Sequence, residues 1–229
     1  RTMLRLSYAA MDRVAAVSMA QGQWMTKARL VEPSRSCVVR SARPVDVFMA
    51  VPDPPLWHNR PFTLLAYGRF TPQKGFDTLL KAIRLLSTTN LTLLLAGDGP
   101  EAEPLKAQAD DDPRIEWLGP RSDIPALMAR ADAVVIPSRW EPWGNVCLEA
   151  RAAGRPVVVS GADGLPEQGQ GCGVVTQGDA PSDLAASLES LLSATPVQRQ
   201  AWSIAGRLSA QGAWHEYLDG WSRLLASVG

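Results

Sequence analysis

The chain predicts an α/β fold on a doubly wound parallel sheet, and three observations carry that expectation. Short, fully apolar runs rich in leucine or β-branched residues recur, as at Leu91-Thr92-Leu93-Leu94-Leu95-Ala96 and Ala133-Val134-Val135-Ile136. Strands buried on both faces read this way. A helix-forming stretch follows most of these runs, and glycine or proline marks the junctions, the alternation expected of βαβ units.

Taken in order, Leu4, Tyr8, Met11 and Ala15 share one helical face across residues 4–17, which runs into a short strand at 14–18; a second helical stretch covers 20–30. Residues 37–39 form a short strand, and Val51-Pro52-Asp53-Pro54-Pro55 breaks regular structure, making 51–60 the linker. Beyond it the spacing predicts a strand at 63–67, a helix at 76–86 capped by Asp77, and a strand at 91–96 ended by the turn Gly97-Asp98-Gly99-Pro100. A helix at 101–108, a strand at 114–118 and a helix at 124–131 lead into the central strand at 133–138. Residues 145–153 are helical, starting near Gly144 and stopped by Gly154; a strand at 157–159, a glycine-rich loop, a strand at 173–175 and a helix at 182–193 follow. About six strands thus alternate with helices, giving a Rossmann-like sheet. The tail 197–227 reads as one or two amphipathic helices whose Trp214, Tyr217, Trp221 and Leu224 share a face, expected to pack on the chain's own core.

Composition narrows the function. With 229 residues, 46% hydrophobic and 20% charged, the chain is an ordinary globular one. Lys+Arg and Asp+Glu both number 23, so no overall basic field argues for nucleic acid, and any anion site must be local. Cys37, Cys147 and Cys172 are scattered, with no metal-ligand spacing, and read as buried reduced thiols. Only His58 and His215 are available, which excludes most histidine-rich metal chemistry. No apolar stretch reaches a membrane-spanning length and no signal peptide opens the chain, so the cytoplasm is the expected location.

The most informative segment is Glu141-Pro-Trp-Gly-Asn-Val-Cys-Leu-Glu149. A helix starting near Gly144 would present free amides, with a partial positive charge, at the carboxyl end of a strand, where ligands of open α/β sheets sit. A diphosphate on those amides would leave the Glu141 and Glu149 carboxylates to accept hydrogen bonds from hydroxyls on either side. Two isolated glutamates would instead be a first-turn acid and a solvated helix residue; the strand-loop-helix-strand setting favours the ligand. A second phosphate signal lies in Tyr67-Gly68-Arg69-Phe70-Thr71-Pro72-Gln73-Lys74-Gly75, where Gly68 permits close approach and Arg69 and Lys74 could both reach one diphosphate. Neither a P-loop nor a Gly-x-Gly-x-x-Gly fingerprint is present.

Together, Gly68-Arg69 to Lys74-Gly75, Ala96-Gly97-Asp98-Gly99-Pro100, Trp117-Leu118-Gly119, Ala131-Asp132 to Pro137-Ser138 and Glu141 through Glu149 resemble the retaining glycosyltransferases of family 4, with the GT-B fold, over about residues 62–192. The resemblance implies that this is the C-terminal half of such an enzyme. Residues 1–50 would be a remnant of the N-terminal, acceptor-binding domain, 61–200 the nucleotide-sugar-binding domain, and 201–229 the helix that crosses back. It implies that Arg69 and Lys74 bind the donor diphosphate and steady the leaving nucleotide, and that Glu141 contacts the transferred sugar. Glu149 would bind the ribose, the amides of Gly144, Asn145 and Val146 the phosphate, and Gly68 would let the donor approach; Gly119, Pro120 and Arg121 would lie near the base. No cofactor and no metal are implied; the donor is a UDP- or GDP-linked sugar, and the cations and helix dipole replace a metal. The acceptor would be a glycan or lipid-linked glycan held by the other domain, in bacterial glycan, lipopolysaccharide or exopolysaccharide synthesis. Attack would be front-side with retention. Peripheral membrane association of the intact enzyme and a dimer through an exposed apolar face are further expectations. The chain opens at Arg1, and the family pattern places a further domain ahead of it, so the isolated chain is expected to be inactive or incomplete. The alternative is a non-catalytic nucleotide-sugar-binding half that works with a separate partner chain; a GT-B-like sugar epimerase ranks below both.

Overall fold

The computed structural model of the chain describes residues 2–54 and 60–228. His58, Pro55 and part of the expected linker lie outside the described residues.

The first forty residues build a small unit, α1 (Thr2–Ala9), β1 (Val14–Ala16), α2 (Met19–Lys27) and β2 (Ser36–Val38); α3 (Asp46–Met49), expected with them, packs instead on the larger unit through Phe48. The two strands pair in parallel with Val14 opposite Ser36. The first helix was expected to run to residue 17 but stops at Ala9, because the Arg35 guanidinium takes the carbonyls of Tyr8, Ala9 and Asp12 at 3.2, 3.4 and 3.3 Å. Ser18 caps α2, its hydroxyl accepting from the Gln21 amide at 3.1 Å. The four-residue α3 carries no periodic signal of its own and was missed.

The larger unit alternates throughout: β3 (Phe62–Arg69), α4 (Phe76–Leu85), β4 (Leu91–Asp98), α5 (Ala102–Ala109), β5 (Ile115–Gly119), α6 (Ile124–Arg130), β6 (Ala133–Ile136), α7 (Asn145–Ala152), β7 (Val157–Val159), α8 (Leu165–Gly169), β8 (Gly173–Val175) and α9 (Pro181–Ser193). Its strands form one six-stranded sheet in the order β5-β4-β3-β6-β7-β8, parallel at every pairing. This is the doubly wound, Rossmann-like sheet expected. Side chains alternate along the strands. Leu64, Ala66, Leu93, Leu95, Val135 and Val158 face α4 and α9. Leu65, Leu94, Val134, Ile136, Val157 and Val159 face the other way, toward α6 and α7. Each such buried Leu, Ile or Val side chain stabilises the fold by roughly 1.5–3 kcal/mol relative to an exposed one.

Three details depart from expectation. Asp77 does not cap α4: Gly75 is the N-cap, with φ 66°, and Asp77 falls in the first turn. β4 does not end at Gly97, because Gly68 pairs with Gly97 and Arg69 with Asp98 before the chain turns. The glycine-rich loop after β7 contains α8, whose Leu165 is fully buried.

The tail forms two helices, α10 (Pro196–Ala210) and α11 (Ala213–Ala226). The first packs on α7 through Ser203, Gly206 and Ala210, which keeps the second away from the sheet. Trp214 therefore stacks on Tyr217 at 5.4 Å and Tyr217 meets Trp221 edge-on at 6.3 Å, while no α11 residue is fully buried. The aromatic row packs on itself and on the segment around Val39, where Gly220 fits, rather than into the core. Among the described residues, no helix is long and apolar enough to cross a membrane.

Candidate functional site

β3 and β6 are neighbours in the sheet, and the chain leaves their carboxyl ends in different directions, which opens a crevice there. The loop after β3 carries Arg69 and Lys74; the loop after β6 carries Glu141. Gly75 joins the two loops: a Cβ on it would stand 2.1 Å from the Pro137 carbonyl oxygen, so only glycine allows this approach. Arg139 laces them further, donating to the Pro72 carbonyl at 2.6 Å, to Asp77 at 2.6 Å and to Thr78 at 3.1 Å. The Gln73 amide completes the lacing with a bond to the Trp140 carbonyl at 3.0 Å. Sequence reasoning did not single out Arg139 or Gln73, although Arg139 stands two positions ahead of Glu141.

This lacing delivers the expected cluster. The Lys74 stem passes over Gly68, 3.9 Å from where a Cβ there would stand, and its ammonium pairs with Glu141 at 2.5 Å. Both partners are largely shielded, with side-chain exposures of 22% and 12%. The Glu141 backbone amide donates to Asp163 at 2.8 Å, which fixes the loop from the other side. Arg69 is exposed and, among the described residues, makes no ion pair or side-chain hydrogen bond.

Gly144 is the N-cap of α7 with φ 89°, and no side chain caps that terminus. A Cβ there would stand 3.0 Å from Glu141 Cγ and from Leu165 Cδ2. Asn145 is exposed and Val146 half-buried, so the first-turn amides open beside Glu141. Gln168 holds this entry from behind, donating to the carbonyls of Trp143 and Gly144.

Glu149 engages a different set. It is 5% exposed; its Oε1 accepts from Arg43 at 2.9 Å and its Oε2 from the Tyr67 hydroxyl. Burial pushes the Glu149 carboxyl above its ordinary range, against the opposing pull of the Tyr67 hydrogen bond and Arg43. Burial, with the adjacent Glu149 charge, likewise raises the Tyr67 phenol well above normal. A carboxylate carries about four lone-pair positions, so two donors leave room for a ligand hydroxyl. Arg43 has no signal in the sequence, while Tyr67 is part of the run that flagged Gly68.

The remaining expected residues sit at the carboxyl end of β5. Gly119 has φ 65° and open space where a Cβ would be; Pro120 is exposed. Arg121 is turned onto Asp123, at 2.7 and 2.5 Å. Cys147 and Cys172 are buried and Cys37 half-buried, all free, and burial pushes the Cys147 thiol up to about 12, which leaves it unreactive. Among the described residues no group of three or more His, Cys, Asp or Glu could hold a metal ion. A cavity of about 200 Å³ opens nearby, lined by Thr78, Ser138, Arg139, Ser160 and Thr176, but neither Lys74 nor Glu141 lines it. The cations, the carboxylate and the helix terminus mark the better place for a charged ligand.

Comparison with known proteins identifies the family and the fold. Residues 61–194 match the family described as Glycosyl transferases group 1. The lipopolysaccharide core biosynthesis glycosyltransferase LpsD of Rhizobium meliloti (strain 1021) is 38% identical over 106 residues, covering 45% of this chain and 30% of that protein. The glycogen synthase of Mycobacterium tuberculosis (strain ATCC 25618 / H37Rv) is 36% identical over 165 residues, covering 67% of this chain and 40% of that protein. This chain thus spans less than half the length of either. Among solved structures, Anabaena HepE in complex with UDP and glucose superposes with a TM-score of 0.81 at 22% identity, over 98% of this chain and 66% of that one. WaaG, a glycosyltransferase involved in lipopolysaccharide biosynthesis, gives 0.74 at 24% identity, over 87% and 58%. The likeness to those structures is one of fold, and it matches the GT-B architecture expected.

Proposed function

The chain belongs to the group 1 glycosyl transferases, and from that premise we propose that it is the donor-binding half of a retaining, family 4 enzyme. In this reading it binds a UDP- or GDP-linked sugar and transfers the sugar to an acceptor hydroxyl. The observation that carries it is the Lys74–Glu141 pair beside the uncapped N-terminus of α7. One cation and a row of amides stand where a diphosphate would lie, and a carboxylate stands where the attached sugar would begin.

Arg69 and Lys74 neutralise the diphosphate and the charge that grows on it as the glycosidic bond breaks. The amides of Gly144, Asn145 and Val146 hold the distal phosphate, Gly68 lets it approach, and Glu141 orients the sugar hydroxyls. Glu149 accepts from the ribose, and Gly119, Pro120 and Arg121 flank the base. The bond from the anomeric carbon to the phosphate oxygen breaks on the face at which the acceptor oxygen bonds. The acceptor proton passes to the leaving phosphate, and configuration is retained. No metal takes part. Residues 1–50 belong to the acceptor-side domain, which would hold a glycan or lipid-linked acceptor, and α11 crosses back to it. Lipopolysaccharide assembly fits the relatives' printed names, LpsD and WaaG among them, and exopolysaccharide assembly is the second candidate role. A cytoplasmic enzyme, peripheral at the membrane and dimeric through its exposed apolar face, completes the proposal.

Calorimetric titration with UDP, GDP, ADP and their glucose conjugates, with EDTA present, tests it. Selective binding of one nucleotide is expected. The doubly substituted Arg69→Ala/Lys74→Ala chain should bind it at least ~100-fold more weakly, since charge-assisted bonds contribute about 1.5–3 kcal/mol each, with its melting temperature kept. Binding of no nucleotide, or equal binding by the double variant, would overturn the reading.

A further inference from the structure

We infer that Arg43, in the segment that joins the two units, is a positioning residue that holds Glu149 in the orientation and charge state in which it accepts from the donor's ribose. The inference rests on the donor-site reading of Glu149.

Four observations support it. Glu149 is 5% exposed, and Arg43 reaches it across 106 positions of sequence with a 2.9 Å bond, making Arg43 the one cation paired with this carboxylate among the described residues. A buried carboxylate without a cation neutralises itself by binding a proton. The second partner, Tyr67, is a neutral donor: its phenol is pushed well above normal, so it supplies a hydrogen bond and no charge. Pro44 follows Arg43 and fixes the backbone there, and Val45 and Phe48 anchor the segment in the core beside α7. The guanidinium itself stays half outside, with 55% side-chain exposure, which lets it hold the carboxylate at little cost in its own desolvation.

The other charged groups around α7 are engaged elsewhere. Arg151 of α7 bonds Ser209 and Gln168; Arg207 of α10 binds the carbonyls of Met49, Ala152 and Val51. Glu167 of α8 pairs with Arg40, Asp46 of α3 is exposed, and β6 and β7 carry no charge. Cys147, with its thiol raised to about 12, is neutral. Nothing in this set can replace Arg43.

The sign of the expected effect follows. Burial already raises Glu149, and Arg43 opposes that rise. With Arg43→Gln the carboxyl moves higher still and holds its proton to a higher pH than in the parent. A protonated carboxyl is a poorer acceptor for a ribose hydroxyl, so donor binding should weaken at low pH and recover as pH rises.

Two readouts on the chain as it stands test this. The first is a ¹³C-carboxyl NMR titration of Glu149, which needs no nucleotide. Arg43→Gln should shift its midpoint upward by at least one pH unit relative to the parent, and Arg43→Lys should restore most of the difference. The second is UDP affinity from pH 5.5 to 8.5: at pH 6 Arg43→Gln should bind several-fold more weakly than the parent and converge on it by pH 8.5. An unmoved Glu149 midpoint, or a UDP-affinity deficit that stays constant across pH, would overturn the positioning role. If the parent binds no nucleotide, the donor-site reading fails, and that failure is separable because the carboxyl titration still reports what Arg43 does.

Discussion

The two ends of the parallel sheet handle charge in opposite ways. At the amino ends of the strands Arg155, Asp132 and Arg114 are each closed off by their partners. Arg155, 1% exposed, donates to the carbonyls of Met128, Ala153 and Pro52 at 2.7, 2.7 and 2.8 Å. Asp132 receives Arg60 at 2.9 and 2.5 Å and the Thr63 amide at 2.7 Å. Arg114 spans Asp112 and the carbonyls of Leu86 and Thr88. At the carboxyl ends Arg69 stands exposed and unpaired among the described residues, α7 starts without a side-chain cap, and Glu149 is buried where its charge is disfavoured. Polar groups at one end satisfy the backbone they touch; those at the other keep capacity for something else. Folding energy and ligand chemistry are therefore separable along the strand axis, and substitutions can test the separation.

The largest effect is expected at the closed end. Burial pulls the Arg155 guanidinium down to about 10, so it remains charged at neutral pH, and its hydrogen bonds among the described residues go to carbonyl oxygens. Arg155→Met fills similar space but leaves three carbonyls without their donor, at about 1 kcal/mol each. A loss of about 3 kcal/mol, hence roughly 6–12 °C in melting temperature for a chain of this size, should be seen by calorimetry. The nucleotide affinity of the folded fraction should stay unchanged. A variant that melts normally but binds nucleotide poorly would break the comparison outright.

Much of the closed end and part of the open end were legible in the sequence, for different physical reasons. Strands such as β4 and β6 are buried on both faces, so Leu93-Leu94-Leu95 and Val134-Val135-Ile136 announce themselves as apolar runs. Gly68, Lys74, Glu141 and Gly144 were legible as spacing, because the residues brought together there are local to two loops. What covers a surface was not: the period of Trp214, Tyr217 and Trp221 defines a face of α11 but cannot say that α10 already occupies the place beside α7. Nor could Arg43 be paired with Glu149, since an ion pair between distant segments leaves no mark in either. α8 escaped because Leu165-Pro-Glu-Gln-Gly169 is too short for a period and ends in glycine.

A smaller effect, of opposite sign at the two ends, concerns pH. The Arg114 hydrogen bond, against the cost of burial, holds Asp112 below its ordinary value. A depressed folded value means that the contribution to stability is present above the unfolded value and is lost as pH falls through the folded one. For Glu149 the folded value is raised, chiefly by burial. Its protonated form is then the better tolerated, and stability is given up as pH rises from the unfolded value through the folded one. Glu149→Gln should therefore not lower the melting temperature at pH 7, and should flatten its decline between pH 5 and 7. Donor affinity should fall about tenfold, or about 1.4 kcal/mol, as a charge-assisted bond becomes a neutral one. Stability measured by thermal melts at several pH values and affinity by calorimetry should thus move in different directions. A variant that loses both would place Glu149 with the closed end.

The smallest effect sharpens the comparison at its edge. Arg121 stands at the open end, after β5, yet its guanidinium is already committed to Asp123 at 2.7 and 2.5 Å, with both side chains well exposed at 37% and 45%. Exposed pairs of this kind contribute little to stability, so Arg121→Ala should leave the melting temperature within about 1–2 °C of the parent. Its proposed place near the base makes it the weakest of the proposed donor contacts, because recognition of a base beside Gly119 could use backbone groups that the substitution leaves intact. Nucleotide affinity should change by less than about threefold, a difference of roughly 0.6 kcal/mol, and the ranking of UDP, GDP and ADP should be kept. A reordered ranking would mean that Arg121 leaves Asp123 when the base arrives, and it would move this residue from the closed class of arginines to the open one that Arg69 represents.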